Sequence, residues 1–316
     1  MAHDQQKLIS PLRYPGSKRR LAGQIDRIIR STKRIPDLFV EPFAGGASVS
    51  LHLLHVQGVK TIGLMDADPL VASFWKTAFF DSHWLCEQIR TVPVTLKQWE
   101  AYRGMKPRSD RTRALMCLFL NRTSFSGILH QRAGPLGGYS QTSDYRIDCR
   151  FPRATLIERI QALAHHKAKV AFVWNINWKQ GLERIRGMQQ RKRLSKKIFY
   201  YFDPPFFSKA ENLYTHYFTD EDHKELCSSL RRMRSSLQNP WLLSYDDADR
   251  AVKLYGNGSR SRSVEIVYSM SAGGDRRITR EALLSNLPII PNLRRVVRNQ
   301  NGTQRNSARM ARLNGK

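Results

Sequence analysis

The chain has 316 residues and 41% hydrophobic content, enough for one large or two ordinary domains built on a proper core. Lysine and arginine number 53 against 26 acids, a net charge of +27; this points to a polyanionic partner, although a basic soluble surface without chemistry has the same balance. No apolar stretch approaches the roughly 18 residues that span a bilayer. Met1 to Ser10 lacks the apolar core of a signal peptide, and Cys86, Cys117, Cys149 and Cys227 have no metal-ligand spacing, so a cytoplasmic protein with reduced, buried thiols and no metal is expected.

In chain order, Asp37 to Glu41 is an apolar run that stops at Pro42-Phe43-Ala44-Gly45-Gly46 and resumes over Ser48 to Leu54. This predicts a strand, a tight glycine turn and a helix. Thr61 to Met65 is a second strand running into Asp66, which completes a βαβ unit. From about Phe74 to His165 the rhythm fails, and the stretch is helix-like in places around the loop Gly134-Pro135-Leu136-Gly137-Gly138. Residues 76–165 are therefore expected to be an insert, dividing a catalytic domain into 1–75 and 166–290. Within it, Arg103, Lys106, Arg108, Arg111 and Arg113 form a basic run that could touch phosphate. A further strand at Lys197 to Phe202 ends at Asp203-Pro204-Pro205-Phe206, a helix is predicted from about Asp220 to Leu237, and strands follow at Trp241 to Tyr245 and Val264 to Ser269. Residues 291–316 carry seven basic residues and no acid, and read as a disordered tail that meets phosphate.

The turn at Gly45 and Gly46 lets a ligand approach the backbone closely, but such turns also serve α/β proteins without a cofactor. Asp66 at the tip of the next strand favours a nucleoside cofactor, because a carboxylate accepts hydrogen bonds from both hydroxyls of a ribose. Asp203-Pro204-Pro205-Phe206 is the sharpest motif. Its prolines make a rigid corner without N–H donors, leaving carbonyls free to accept from an amine. The exocyclic amine of a base is a poor nucleophile; hydrogen bonds from its two N–H groups to the Asp203 carboxylate and the Pro204 carbonyl free its lone pair. Phe206 is then positioned to stack on a base that has left the duplex.

These motifs, in this order from Leu8 to Pro288, resemble the Dam-like class of adenine-specific DNA methyltransferases. The resemblance implies a Rossmann-like S-adenosylmethionine-dependent methyltransferase sheet with an inserted, mostly helical DNA-recognition domain. Arg13-Tyr14-Pro15-Gly16-Ser17-Lys18 is similar to the segment that contacts the methionine end of the cofactor, so Tyr14 and Lys18 become cofactor residues. Phe43 and Gly45 match the glycine motif, Asp66 the ribose acid, and Asp203 to Phe206 the catalytic motif, which more often ends in tyrosine. Asn121-Arg122-Thr123-Ser124-Phe125-Ser126 resembles the hairpin that enters DNA, with Asn121 and Arg122 as DNA residues, Phe125 as a wedge, and Ser126 and His130 facing base edges. Relatives that read GATC usually carry asparagine and a stronger base in place of these last two, so the resemblance implies no particular target. It implies S-adenosylmethionine as cofactor, duplex DNA as partner, association with the nucleoid through that DNA, and a monomer sufficient for the chemistry. Methylation of RNA or of the cytosine amine, or a DNA-binding relative without activity, are the alternatives.

Overall fold

The computed structural model describes residues 7–14, 16–129, 132–205, 218–234, 239–245, 248–257, 259–269 and 276–293. Seven strands form one sheet: β1 (Leu38–Glu41), β2 (Thr61–Asp66), β3 (Val170–Asn175), β4 (Ile198–Phe202), β5 (Trp241–Tyr245), β6 (Arg260–Ser269) and β7 (Arg276–Ser285). Their order is β3-β2-β1-β4-β5-β7-β6, parallel except for β7, which runs antiparallel to both neighbours. The winding reverses between β1 and β4, so the chain diverges there and a crevice opens at the carboxyl ends of these two strands.

Every residue of β1, β4 and β5 is buried, because helices cover both faces of the sheet. Side chains alternate between two apolar layers. Phe39 of β1 stacks on Phe199 and Tyr201 of β4 with ring centroids 6.0 and 6.2 Å apart, while Leu38, Val40, Ile198, Tyr200 and Phe202 point to the other side. The first layer is closed by α1 (Ala22–Ser31), α2 (Ser48–His55) and α3 (Pro69–Phe80); the second by α8 (Trp178–Gln190), α9 (Asp220–Arg234) and α10 (Ala248–Tyr255). Asp68 caps α3 by accepting the Leu70 N–H at 2.8 Å, with Pro69 at the first helical position where a missing donor costs nothing.

Between β2 and β3 lie α3, then α4 (Ser82–Thr91), α5 (Leu96–Gly104), α6 (Asp110–Thr123) and α7 (Arg153–Ala164). The expected insert boundary at residue 76 falls inside α3. Leu85, Trp99, Phe119 and Leu156 belong to the same apolar cluster as Phe39 and Leu51, so residues 76–165 share the core of the sheet rather than standing apart on one of their own. Ser73 Oγ donates to Asp110 Oδ1 at 3.1 Å, and Lys76 pairs with Asp110 at 2.8 Å, fastening α6 onto α3.

Elements toward the edges of the sheet differ from expectation. The sequence pattern does not announce β3 or β7, and β6 begins at Arg260, four residues before the expected start. Cys86, Cys117 and Cys227 are buried free thiols, whereas Cys149 is exposed, which corrects the expectation that all four lie inside. Among the described residues no helix is long and apolar enough to cross a membrane. Of the expected basic tail, only residues 291–293 are among those described.

Candidate active site

At the end of β1 the chain turns through Gly45, whose φ of +42° lies in the left-handed region and whose Cβ, if present, would sit 2.8 Å from the Tyr14 ring. Three bonds hold the turn. Asp66 Oδ2 accepts the Gly45 N–H at 2.9 Å, the indole N–H of Trp75 donates to the Gly45 carbonyl at 2.8 Å, and the Ala44 N–H donates to the Met65 carbonyl at 2.9 Å. The other oxygen of Asp66 accepts the Asp68 N–H at 2.9 Å. Burial, aided by Asp68, pushes the Asp66 carboxyl up to about 7, against the pull of these two backbone donors.

Helix α2 starts at Ala47, which offers no side-chain cap. Glu41 supplies one from the strand: its Oε1 accepts the Ser50 N–H at 2.6 Å. The helix dipole and this bond favour the anion, yet burial dominates and pushes Glu41 up to about 8.

At the end of β4, Asp203 stands 2.9 Å from the ammonium of Lys18 and accepts the Ser244 hydroxyl at 2.7 Å, both on Oδ1. Tyr201 meets Ser244 at 2.7 Å, and Glu281 lies 3.8 Å from Lys18. Oδ2 of Asp203 has no partner among the described residues. Lys18 is 5% exposed and also donates to the Gly16 carbonyl at 3.1 Å. Its ammonium is thus directed at Asp203.

Tyr14, Lys18, Phe43, Gly45, Asp66, Asp203, Pro204 and Pro205 all line one cleft of about 320 Å³ at the switch point of the sheet. Phe206 lies outside the described residues. Sequence reasoning missed four contributors to this site: Trp178, Tyr201, Ser244 and Glu281. Trp178 opens α8 directly after the Asn177 cap, and with Phe43 it flanks Phe218, whose ring is 5.4 Å from Phe43 and 6.5 Å from Trp178. The signal for Trp178 is Trp174-Asn175-Ile176-Asn177-Trp178, a strand end followed by a helix cap.

The expected DNA residues separate into two groups. Asn121 and Arg122 are 1% and 7% exposed and are spent on backbone. Asn121 Oδ1 accepts the Arg13 N–H at 2.6 Å and its Nδ2 donates to the Gly127 carbonyl at 2.7 Å, while Arg122 Nε donates to the Pro11 carbonyl at 2.7 Å. These bonds tie the Pro11 to Arg13 segment to α6 and to the loop that follows it. Phe125 is 65% exposed at the tip of that loop, and Ser126 beside it adopts a φ of 55°. Their outward placement follows from Gly127, whose φ of +74° reverses the chain against the Arg13 carbonyl. His130 lies outside the described residues.

Arg103, expected in the phosphate-facing run, is turned inward instead. It donates to the carbonyls of Leu129, Ile128 and Ala133 and to Ser124 Oγ at 2.7 to 3.4 Å, with its guanidinium 4.8 Å from the centre of the Trp99 ring. Arg111 pairs with Asp81 at 2.6 Å and Arg113 with Asp110 at 3.3 Å. These contacts place the loop; they leave Arg111 and Arg113 in ion pairs.

A seven-stranded sheet of this order, with an acid at the tip of β2 and an Asp-Pro-Pro corner at the tip of β4 facing one cleft, defines a Rossmann-like methyltransferase. The family model described as D12 class N6 adenine-specific DNA methyltransferase matches residues 14–270, so the chain belongs to that family and is an adenine-specific DNA methyltransferase. A search of curated proteins finds no match.

Proposed function

We propose that the chain transfers a methyl group from S-adenosylmethionine to the exocyclic amine of an adenine extruded from duplex DNA, directly and without a covalent enzyme intermediate. The observation that carries this reading is the Asp203 carboxylate: Oδ1 is fixed by Lys18 and Ser244, and Oδ2 is left without a partner among the described residues beside the Pro204 corner.

The residues of the cleft suit the cofactor. Each oxygen of Asp66 accepts one backbone N–H, which leaves lone pairs for the two hydroxyls of a ribose. Phe43 and Trp178 offer apolar surface to its purine, and Tyr14, packed against the glycine turn, borders the methionine end. When bound, S-adenosylmethionine supplies a methyl group made electrophilic by the sulfonium.

Asp203 Oδ2 and the Pro204 carbonyl accept the two N–H groups of the adenine amine. Drawn toward a tetrahedral shape, the nitrogen presents its lone pair for in-line attack, and positioning with electrostatics provides most of the acceleration. Oδ2 accepts the proton that the amine sheds as the new bond forms. Lys18 is a positioning residue here: by holding Oδ1 it orients Oδ2. Phe206 stacks on the extruded base, while Phe125 enters the duplex beside the gap and Ser126 and His130 face base edges. One chain suffices for these steps.

The test uses wild type and Asp203→Ala with methyl-labelled cofactor, followed by digestion of the DNA to nucleosides. Label is expected in N6-methyl-2′-deoxyadenosine for the wild type and none for the variant, whose cofactor affinity, measured by calorimetry, stays within a few fold. Label arriving at the wild-type rate in the variant, or arriving on cytosine, would overturn the proposal.

A further inference from the structure

A second cavity, of about 520 Å³, shares Tyr14, Ser17 and Ser48 with the cleft and extends from there to Ser126 beside the exposed Phe125. Five arginines line it, Arg13, Arg19, Arg122, Arg150 and Arg159, and no acidic residue does. Among the described residues, Arg13, Arg19 and Arg150 form no ion pair.

Like charges gather in this way only if something holds them. Arg122 is 7% exposed and is fixed by the Pro11 carbonyl at 2.7 Å and the Arg150 carbonyl at 3.4 Å; Arg159 donates to the Ser10 carbonyl at 3.2 Å. These bonds anchor two of the five cations to the frame, and the other three approach them. Burial first, then Arg159, Arg13 and Arg150, push the Arg122 guanidinium down to about 9. Arg13 is lowered by burial and by Arg150, and Arg159 by burial and by Arg19. An anion in the cavity would relieve a repulsion that the free protein bears.

We propose that this cavity seats a phosphodiester of the DNA strand beside the nucleotide whose adenine enters the cleft. The inference rests on the DNA reading above and adds the site that grips the backbone. Guanidinium groups bind phosphate oxygens through paired N–H donors, and Ser17 and Ser126 bring hydroxyls to the same cavity. The wall shared through Tyr14, Ser17 and Ser48 makes the two cavities neighbours, as a base and its own backbone must be. Its position next to Phe125, on the side that faces DNA, favours a strand over a free phosphate metabolite.

The experiment measures binding of a mixed-sequence duplex as a function of salt for wild type, Arg13→Ala/Arg150→Ala, and a control, Arg191→Ala/Arg193→Ala, which removes equal charge from exposed positions after α8. For the first variant, the slope of log affinity against log salt is expected to become shallower by about one for each phosphate that is no longer engaged. Its affinity should drop severalfold on every sequence, its cofactor affinity should be unchanged, and its melting temperature should match or exceed that of the wild type because repulsion has been removed. The control should keep the wild-type slope.

An equal change of slope in both variants, or none in either, overturns the proposal, as does a loss of affinity confined to particular sequences, which would make the arginines base readers. Inorganic phosphate that stabilises the wild type strongly while duplex binding is unaffected by the substitutions would reassign the cavity to a free anion. If the double variant melts well below the wild type, the exposed single change Arg19→Ala carries the same comparison. A wild type that binds no duplex at all would sink the DNA reading itself, an outcome distinct from failure of the cavity.

Discussion

In the proposed function, Asp66 links a titration to cofactor binding. Its carboxyl is raised from an ordinary 3.8 to about 7 by burial and by Asp68, and Glu41 from 4.5 to about 8 by burial. Each therefore holds its proton more tightly in the folded chain than in the unfolded one. The sign follows from linkage: the stability contributed by both groups is present below their ordinary values and is lost as the pH rises toward 7 and 8. Cofactor binding runs the other way, because an ionised carboxylate is the stronger acceptor for ribose hydroxyls. Affinity for S-adenosylmethionine should rise between pH 6 and pH 8, as measured by calorimetry. Asp66→Asn should flatten that rise and weaken binding by roughly 1.5–3 kcal/mol, about ten- to a hundredfold, since bonds to a charged acceptor are lost. An asparagine variant with the same pH dependence as the wild type would show that another group titrates.

Elements explain where the sequence was readable. β1, β2, β4 and β5 are short apolar runs bounded by turn residues, because a parallel strand covered on both faces needs nothing polar. β3 is an edge strand with its residues only partly buried, and it follows directly on the short helical turn Lys167–Lys169, so its pattern is diluted. β7, Arg-Arg-Ile-Thr-Arg-Glu-Ala-Leu-Leu-Ser, has the composition of a helix; pairing with β5 on one side and β6 on the other makes it a strand. The same distinction governs the site. Asp203-Pro204-Pro205 is local and was legible, whereas Ser244 and Glu281 reach Asp203 and Lys18 only because β4, β5 and β7 are neighbours in the sheet. Arg103 was misplaced for a similar reason: charge in a sequence does not tell which carbonyls a fold will present to it. In α5 it gathers the loop that carries Phe125, so Arg103→Ala takes a donor from three carbonyls and leaves the Ser124 hydroxyl with the Trp99 indole N–H alone. A loss of about 1–3 kcal/mol of stability is expected, and the KM for DNA should rise while cofactor affinity stays unchanged. Unaltered DNA kinetics in a destabilised variant would confine Arg103 to a role in folding.

At the scale of the whole molecule, a net charge of +27 acts on two equilibria with opposite sign. In the free protein it is self-repulsion, which opposes the compact state; added salt screens it over a Debye length of about 8 Å at physiological strength. On DNA it is attraction, and binding releases counterions that added salt makes harder to release. Cations such as the buried Lys18 and the half-buried Arg103 are committed to internal partners, so only part of the charge is available to phosphate. If roughly six to ten phosphates are engaged, affinity should fall by roughly 10³ to 10⁵ between about 50 and 200 mM salt. Over the same interval the melting temperature of the free protein should rise, while duplex DNA added at low salt should raise it further, because a ligand that binds only the folded state stabilises it. Both quantities can be read from one titration series by thermal denaturation and fluorescence anisotropy. A melting temperature that falls with salt would mean that internal ion pairs, such as Lys18 with Asp203 and Lys76 with Asp110, outweigh the repulsion. In that case the excess of arginine and lysine would cost the fold nothing, and its relief could not be counted toward DNA binding.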